Sequence, residues 1–334
     1  MTMSPTLAPS ITELNNWSII TVTGPDATDF LQNQLTNSVK SIKPIDLGEL
    51  ALAHTQNRFA GYCSAKGRLM SSFWITRRNT KNEAGEDIPE YQLLISSDLA
   101  QTLSKRLSMF VLRSKVKVID QSNHYKVYGS LDVDSSNTAQ LQKISAAGVR
   151  VSELPTVQVD GINYQRHLLT CTLEQETVLK EIQSNNVSAA INTWNWLEVQ
   201  SGIPRITQST YEQFVPQMIN MESLKGIDFQ KGCYPGQEVV ARSQYRGTIK
   251  RRLQIGHLNA NHEVAIGAEI FHSEDPQQPC GMVVLSAHHP SIEQRIDIQA
   301  ECKLEALETG SVHLGSVNGP TIQFASLPYP LIEI

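Results

Sequence analysis

From about Arg252 to the C-terminus the chain carries no helical pattern of useful length. Short alternating runs at 253–258, 269–271, 282–285, 301–307 and 321–324 are separated by glycine, proline and polar clusters. Period-two alternation broken at this spacing predicts a small closed β unit, a barrel or sandwich. Upstream the texture is different. Trp17 to Thr23 has the β-branched density of a strand, and Gly24-Pro25-Asp26 breaks it and opens a helix with Phe30, Leu31 and Leu35 on one side. Further strands are expected at 49–55, 69–76, 91–96 and 115–119, with 77–90 as an exposed hairpin loop. Helices are expected over 97–110, 139–147, 173–184 and 187–201, the last stopped by Gly202 and Pro204.

The fold class that follows is α+β: mixed α/β N-terminal and middle domains and a C-terminal small β-barrel. At 334 residues the length favours two or three domains. The division expected is a disordered lead over 1–10, a first α+β domain over 11–122, a second over 123–250, and the barrel over 251–334. The start Met1-Thr2-Met3-Ser4-Pro5 lacks the basic and apolar regions of a signal peptide. No run of about 18 apolar residues exists, too little for a membrane helix. The five cysteines (Cys63, Cys171, Cys233, Cys280, Cys302) are scattered and odd in number. Such usage argues against a disulfide framework or a self-contained metal site and favours a reducing, cytoplasmic setting.

Absent motifs narrow the chemistry further. No Gly-x-x-x-x-Gly-Lys-Ser/Thr and no helix-opening Gly-x-Gly-x-x-Gly occurs, so neither a P-loop nor a Rossmann site is indicated. His257, His262, His272, His288 and His289 lack His-Glu-x-x-His spacing and read as surface residues of the β tail.

The candidate chemistry concentrates in Lys231-Gly232-Cys233-Tyr234-Pro235-Gly236-Gln237-Glu238. Two glycines beside one thiol permit unusual backbone geometry and close approach of a ligand. Pro235 suits a first helical position, and a helix is expected from there to about Gly247. Cys233 would then stand near a helix N-terminus and near Lys231, both of which favour thiolate. The competing reading is a buried cysteine packed as a small hydrophobe in a tight turn. Charge bears on the choice. Between Lys225 and Arg252 seven basic residues face two acidic ones, a local +5 in a chain of net −5. Arg242 and Arg246 share one helix face, where Glu238 can pair with Arg242. A local anionic partner is one reading; a solvated helix followed by a guarded basic strand edge at Lys250-Arg251-Arg252 is the other.

The octet resembles the signature of the YgfZ family of folate-binding proteins, relatives of the T-protein (aminomethyltransferase) of the glycine cleavage system. The resemblance extends to Phe30-Leu31-Gln32, Gln34-Leu35-Thr36, Ala65-Lys66-Gly67-Arg68, residues 111–116, Gly202-Ile203-Pro204, residues 214–220 and Tyr245-Arg246-Gly247. It implies a three-part, T-protein-like arrangement around a central hole that admits a tetrahydrofolate. Two family tryptophans implicated in folate binding match Trp17 and Trp194, with Trp196 as an alternative to the second. An indole suits a flat pterin, with its stacking area and one N–H donor. Without the resemblance each tryptophan reads as core.

One departure matters. The T-protein's paired-aspartate segment, whose carboxylate is essential for amine transfer, matches Ser71-Ser72 here. An unactivated serine neither carries that charge nor acts as a base at neutral pH. Folate binding without aminomethyl transfer is therefore expected. The resemblance implies support for iron–sulfur enzymes, including the enzyme that methylthiolates certain tRNAs, with Cys233 and Lys231 as the functional loop. Arg242 and Arg246 are candidate contacts for an anionic ligand or the folate tail. Two other functions stay open: an active tetrahydrofolate-dependent one-carbon transferase, and a tRNA-binding module using the basic stretches 225–252 and 105–117.

Overall fold

The computed structural model describes residues 10–133, 137–181 and 187–332. Trp17–Thr23 forms a strand between Asp87–Ser96 on one side and Lys117–Asp120 on the other. Leu69–Lys81 and Arg58–Cys63 extend this sheet to five strands. Six of the seven residues of Trp17–Thr23 are buried, so the sheet is covered on both faces. Helix Ser97–Met109 packs on this sheet, burying Leu99, Ala100, Leu103 and Leu107.

A second, six-stranded sheet joins Ser10–Glu13, Tyr125–Val133, Ile162–Thr172, Arg150–Glu153 and Leu50–Ala51, with Val157–Val159 attached to Ile162–Thr172. All its pairings are antiparallel except Leu50–Ala51 with Arg150–Glu153. Ser10, expected in the lead, pairs with Leu131, while residues 1–9 lie outside the described residues. The two earliest strands of this sheet thus come from the N-terminal block, and a cut at 122/123 does not separate the sheets.

Helix Val187–Gln200 links the parts: it packs against Ser10–Glu13, Val157–Val159 and two barrel strands. The tail closes as expected into a six-stranded barrel in the order Arg251–Asn259, Arg295–Lys303, Asp275–His288, Glu269–His272, Val312–Leu314, Thr321–Ala325. Pairing of the last strand with the first removes free edges. Inside lie Leu258, Ile270, Val283, Ile298, Ala300 and Val312. A separate and larger core runs from both α+β sheets through helix Val187–Gln200 to Leu253, Val284 and Leu285 of the barrel.

Several local expectations need correction. The expected loop at 77–90 is mostly paired strand: Arg77 to Lys81 match Tyr91 to Asp87, and the chain turns at Asn82–Glu86. Cross-strand pairing overrides the polar composition there. The strand expected at 49–55 shrinks to Leu50–Ala51, because residues 52–57 fold into a tight turn with His54 at φ 63. The helix expected at 173–184 is Glu176–Lys180, and 182–186 lie outside the described residues. Arg58–Cys63 and Val312–Leu314 are strands the sequence pattern did not announce. His272, expected at the surface, is buried, with Nε2 2.7 Å from the carbonyl oxygen of Thr309.

Candidate functional site

The Cys233 loop rests on the hairpin turn between Arg58–Cys63 and Leu69–Lys81. Gly67 and Gly236 both have positive φ, 71° and 79°. A Cβ on Gly236 would lie 2.4 Å from the carbonyl oxygen of Ser64, and one on Gly67 would lie 2.6 Å from Val239. Only glycine fits either position, so segments 65–68 and 231–238 pack backbone against backbone. Gly232 has open space around it.

Within the loop, Cys233 is exposed, whereas the other four cysteines are buried. Tyr234 points inward, and burial raises its phenol pKa. The helix begins at Gln237 with Gly236 as its cap, so Pro235 precedes the helix instead of opening it. Cys233 therefore lies ahead of the helix's first turn, beyond the reach over which a helix end acts strongly. The helix ends at Tyr245, two residues short of Gly247.

Lys231 is buried. Its ammonium donates to the carbonyl oxygens of Gln32 and Leu35, at the end of helix Ala27–Gln32, and lies 5.0 Å from the centre of the Tyr234 ring. Burial lowers its pKa to about 8, partly opposed by Asp228. Expected as a partner of Cys233, Lys231 instead ties the loop to a helix C-terminus, where a cation meets unpaired carbonyls.

The tryptophans meet elsewhere. Trp17 and Trp194 line one cavity between the two sheets, together with Phe73, Trp74, Arg166 and Arg205. Trp196 lies outside it, edge-on to His289 with ring centres 5.1 Å apart. Trp194 is 1% exposed and packs flush on Gly129, where a Cβ would come within 2.5 Å of the indole. A guanidinium stands over each indole: Arg205 is 5.1 Å from the Trp17 ring centre and Arg166 5.7 Å from that of Trp194. Arg205 is fixed by Glu198, with Nε to Oε1 at 2.6 Å and Nη2 to Oε2 at 3.2 Å, and by Ser96 Oγ at 2.7 Å. The Nε1 atoms of Trp17 and Trp194 and the Nε of Arg166 are buried with no hydrogen-bond partner. The cavity measures about 20 Å³, room for about one water.

Ser72 borders the same cavity and is 2% exposed. Its hydroxyl donates to Pro204 O at 3.1 Å and accepts from Ile206 N at 3.0 Å. Ser71 donates to Ser72 O at 3.3 Å. Ser72 therefore clamps the segment after Gly202 onto its strand. By strand rise, the five residues from Gly67 to Ser72 span roughly 17 Å, so the loop contact and the cavity occupy two ends of one hairpin.

Other motif residues are architectural. Gln217 Nε2 donates to Val240 O at 2.8 Å, and Asn220, at φ 61, donates from Nδ2 to Leu253 O at 3.0 Å. The stretch 214–220 thus fastens both the post-loop helix and the barrel. The basic run is also partly internal. Arg252 is buried against Glu222, and Arg251 Nη1 is 3.0 Å from both carboxylate oxygens of Glu301. Arg242 and Arg246 are exposed beside a surface groove of about 550 Å³ shared with Tyr245. Among the described residues Glu238 forms no ion pair with Arg242.

Sequence reasoning missed Arg166 and the Arg205–Glu198 pair. The available signal was the alternation Tyr164, Arg166, Leu168, which puts an arginine on the inward face of a strand.

Two sheets, a linking helix and a terminal barrel define an aminomethyltransferase-like fold. The solved glycine cleavage system aminomethyltransferase T from Bartonella henselae superposes with a TM-score of 0.58 at 15% identity, covering 96% of this chain and 86% of that one. No protein-family model matches the chain. Curated relatives named tRNA-modifying protein YgfZ do. The protein from Pectobacterium carotovorum is 30% identical over 258 residues, covering 75% of this chain and 71% of the relative. That from Edwardsiella ictaluri is 29% identical over 277 residues, covering 77% and 76%. The chain belongs to the YgfZ family of tRNA-modifying proteins.

Proposed function

We propose that this chain is a folate-binding accessory protein that supports the assembly, repair or activity of iron–sulfur enzymes. A tRNA methylthiotransferase is among the clients this reading names, and Cys233 is its working thiol. The observation that carries the folate half is the cavity in which Trp17 Nε1 and Trp194 Nε1 are buried donors without acceptors. A buried unpaired N–H costs about 1–3 kcal/mol, which a ligand with carbonyl and ring-nitrogen acceptors would relieve. A pterin has that chemistry, so the donor set fits. The volume does not yet fit: about 20 Å³ is far below the roughly 150 Å³ that holds a benzene ring, so side chains must move apart on binding. A bound reduced folate would supply one-carbon carriage; Trp17 and Trp194 would hold and orient it.

Support for the thiol half is the exposure of Cys233 on a loop fixed at both ends, by Lys231 and by Gly236. The Ser72 hydroxyl is already committed to the backbone on both sides, which weighs against transfer chemistry there. The ion pairs of Arg251 and Arg252 weigh against a phosphate-binding strip. The tRNA connection rests on the names of the relatives, and a cytoplasmic location goes with four buried free thiols and one exposed.

The test is complementation. A bacterium lacking its own relative is given the wild-type chain or Cys233→Ala at equal abundance, and methylthiolated nucleosides in its tRNA are quantified. Wild type is expected to restore them and Cys233→Ala to fail. Full restoration by Cys233→Ala would remove the thiol from the account.

A further inference from the structure

Leu112 is 86% exposed, the most exposed large apolar side chain among the described residues, and its backbone has φ 46. The six other non-glycine residues with positive φ are all polar or charged. A leucine in this region is strained, and an exposed one gains no burial in return. The loop around it is pinned on both sides. Ser114 N donates to Val111 O at 2.8 Å, Lys115 N donates to Asp26 Oδ2 at 2.7 Å, and Val111 and Val116 pack against the larger core. Leu112 is thereby held outward in one orientation, just past Met109 and Phe110, which are themselves exposed.

The charge around this knob has one sign. From Leu99 to Ile119 there is no acidic residue, and Lys105, Arg106, Arg113, Lys115 and Lys117 are all basic. Among the described residues none of the five forms an ion pair. Lys115 and Lys117 also line a groove of about 690 Å³ floored in part by Pro25, Ile88 and Val116. Of the two acids in that groove, Glu90 is already paired with Arg150, leaving Glu83. Strain kept at an exposed apolar residue, ringed by unpaired charge, has the character of a recognition surface. We infer that residues 105–117 form a docking face for a partner protein, whose acidic segment meets the five cations and whose apolar cleft takes Leu112. The inference gives the proposed accessory protein a face for its client and rests on that reading for the client's identity alone.

Other occupants fit less well. Single-stranded RNA would answer the cations, but it is gripped by stacking on free aromatic faces. The one aromatic ring here, Phe110, has Arg106 over it at 6.0 Å, and leucine and methionine offer no stacking plane. A fluid lipid surface gains nothing from an apolar side chain fixed in a single strained orientation, and the chain as a whole carries a net charge of −5. A second copy of this chain docking face to face would oppose the same cations to each other.

The test is photo-crosslinking in living cells. p-Benzoylphenylalanine replaces Leu112, or the exposed Leu173 as a control, in the full chain expressed in a bacterium lacking its own relative. On irradiation, position 112 but not 173 is expected to give discrete protein adducts. Mass spectrometry should map them to segments that mix aspartate and glutamate with apolar residues. The double charge reversal Lys115→Glu, Lys117→Glu should cut these adducts at least about fivefold. No adduct specific to position 112, adducts on RNA, on lipid or on a second copy, or protein adducts that survive charge reversal would each overturn the inference. Leu112→Asn suits the left-handed backbone and should melt no lower than wild type. It is nevertheless expected to leave at least about fivefold fewer methylthiolated nucleosides in tRNA, as loss of a central anchor does. Full restoration by Leu112→Asn alongside specific adducts would overturn the assignment of this face to the client. Failure of wild type to restore the nucleosides would overturn the accessory-protein reading, while the adducts at 112 still decide the docking face.

Discussion

Gly236 and Gly67 meet backbone to backbone: a Cβ on Gly236 would lie 2.6 Å from the Cα of Gly67. This contact joins the exposed-cysteine loop to the hairpin whose strands run on to the tryptophan cavity. It also separates the two glycines of the octet by role, since Gly232 has nothing within 4 Å of its missing Cβ.

Gly236→Ala is therefore expected to lose about 2–4 kcal/mol, from left-handed backbone strain and from backbone overlap that cannot relax. Gly232→Ala should fall within about 0.5 kcal/mol of wild type, as open surface sites do. Urea denaturation of both variants checks the pair. Equal costs would mean the loop is not docked in this way.

Ser72→Ala removes the acceptor of Ile206 N and the donor to Pro204 O, and should cost about 1–3 kcal/mol. Ser72→Asp restores a carboxylate but buries it at a site 2% exposed, and is expected to destabilise further without conferring aminomethyl transfer. Denaturation and a transfer assay on the purified variant read the two halves.

A disulfide-exchanging thiol reagent should modify one cysteine rapidly in the native protein and all five after denaturation. Mass spectrometry should place the rapid adduct on Cys233, with Cys233→Ala unreactive on that timescale. Rapid labelling of Cys63 or Cys171 would contradict the burial described.

Lys231 gives stability a pH dependence of definite sign. Burial lowers its folded pKa from 10.5 to about 8. Between those values the unfolded chain holds the proton and the folded chain does not, so this contribution rises as pH increases from 8 to 10.5. It is lost as pH falls through 8. The stability difference between wild type and Lys231→Met, measured by denaturation at several pH values, should shift in favour of wild type across that window. A flat difference would show that the ammonium is not desolvated.

Much of this fold was legible because period-two patterning and turn residues act locally. Barrel strands Arg251–Asn259, Glu269–His272, Asp275–His288 and Thr321–Ala325 and helices Ser97–Met109 and Val187–Gln200 follow from alternation, capping and the stop at Gly202 and Pro204. The run expected at 301–307 is instead the end of strand Arg295–Lys303 followed by a 3-10 helix at Leu304–Leu307. What escaped was non-local. Ser10–Glu13 joins the second sheet through a partner more than a hundred residues away, and 77–81 become strand only because 87–91 pair with them. The site divides in the same way. The octet leaves Cys233 open between an exposed and a buried thiol, and the fold exposes it; the octet sets Lys231 two residues from the thiol, and distant backbone carbonyls take its ammonium. Trp17 and Trp194 lie 177 positions apart in sequence, and no local pattern foretells that they share a cavity with an arginine over each.

The central claim is that this shared cavity holds the folate ring. Calorimetric titration of the pure protein with 5-formyltetrahydrofolate, repeated on Trp17→Phe and Trp194→Phe, tests it most directly. Each variant loses one buried N–H donor and ring area, so each, once shown by melting to remain folded, is expected to bind about 5–50-fold more weakly than wild type. Affinity unchanged in both variants, or no saturable binding to wild type, would contradict the account.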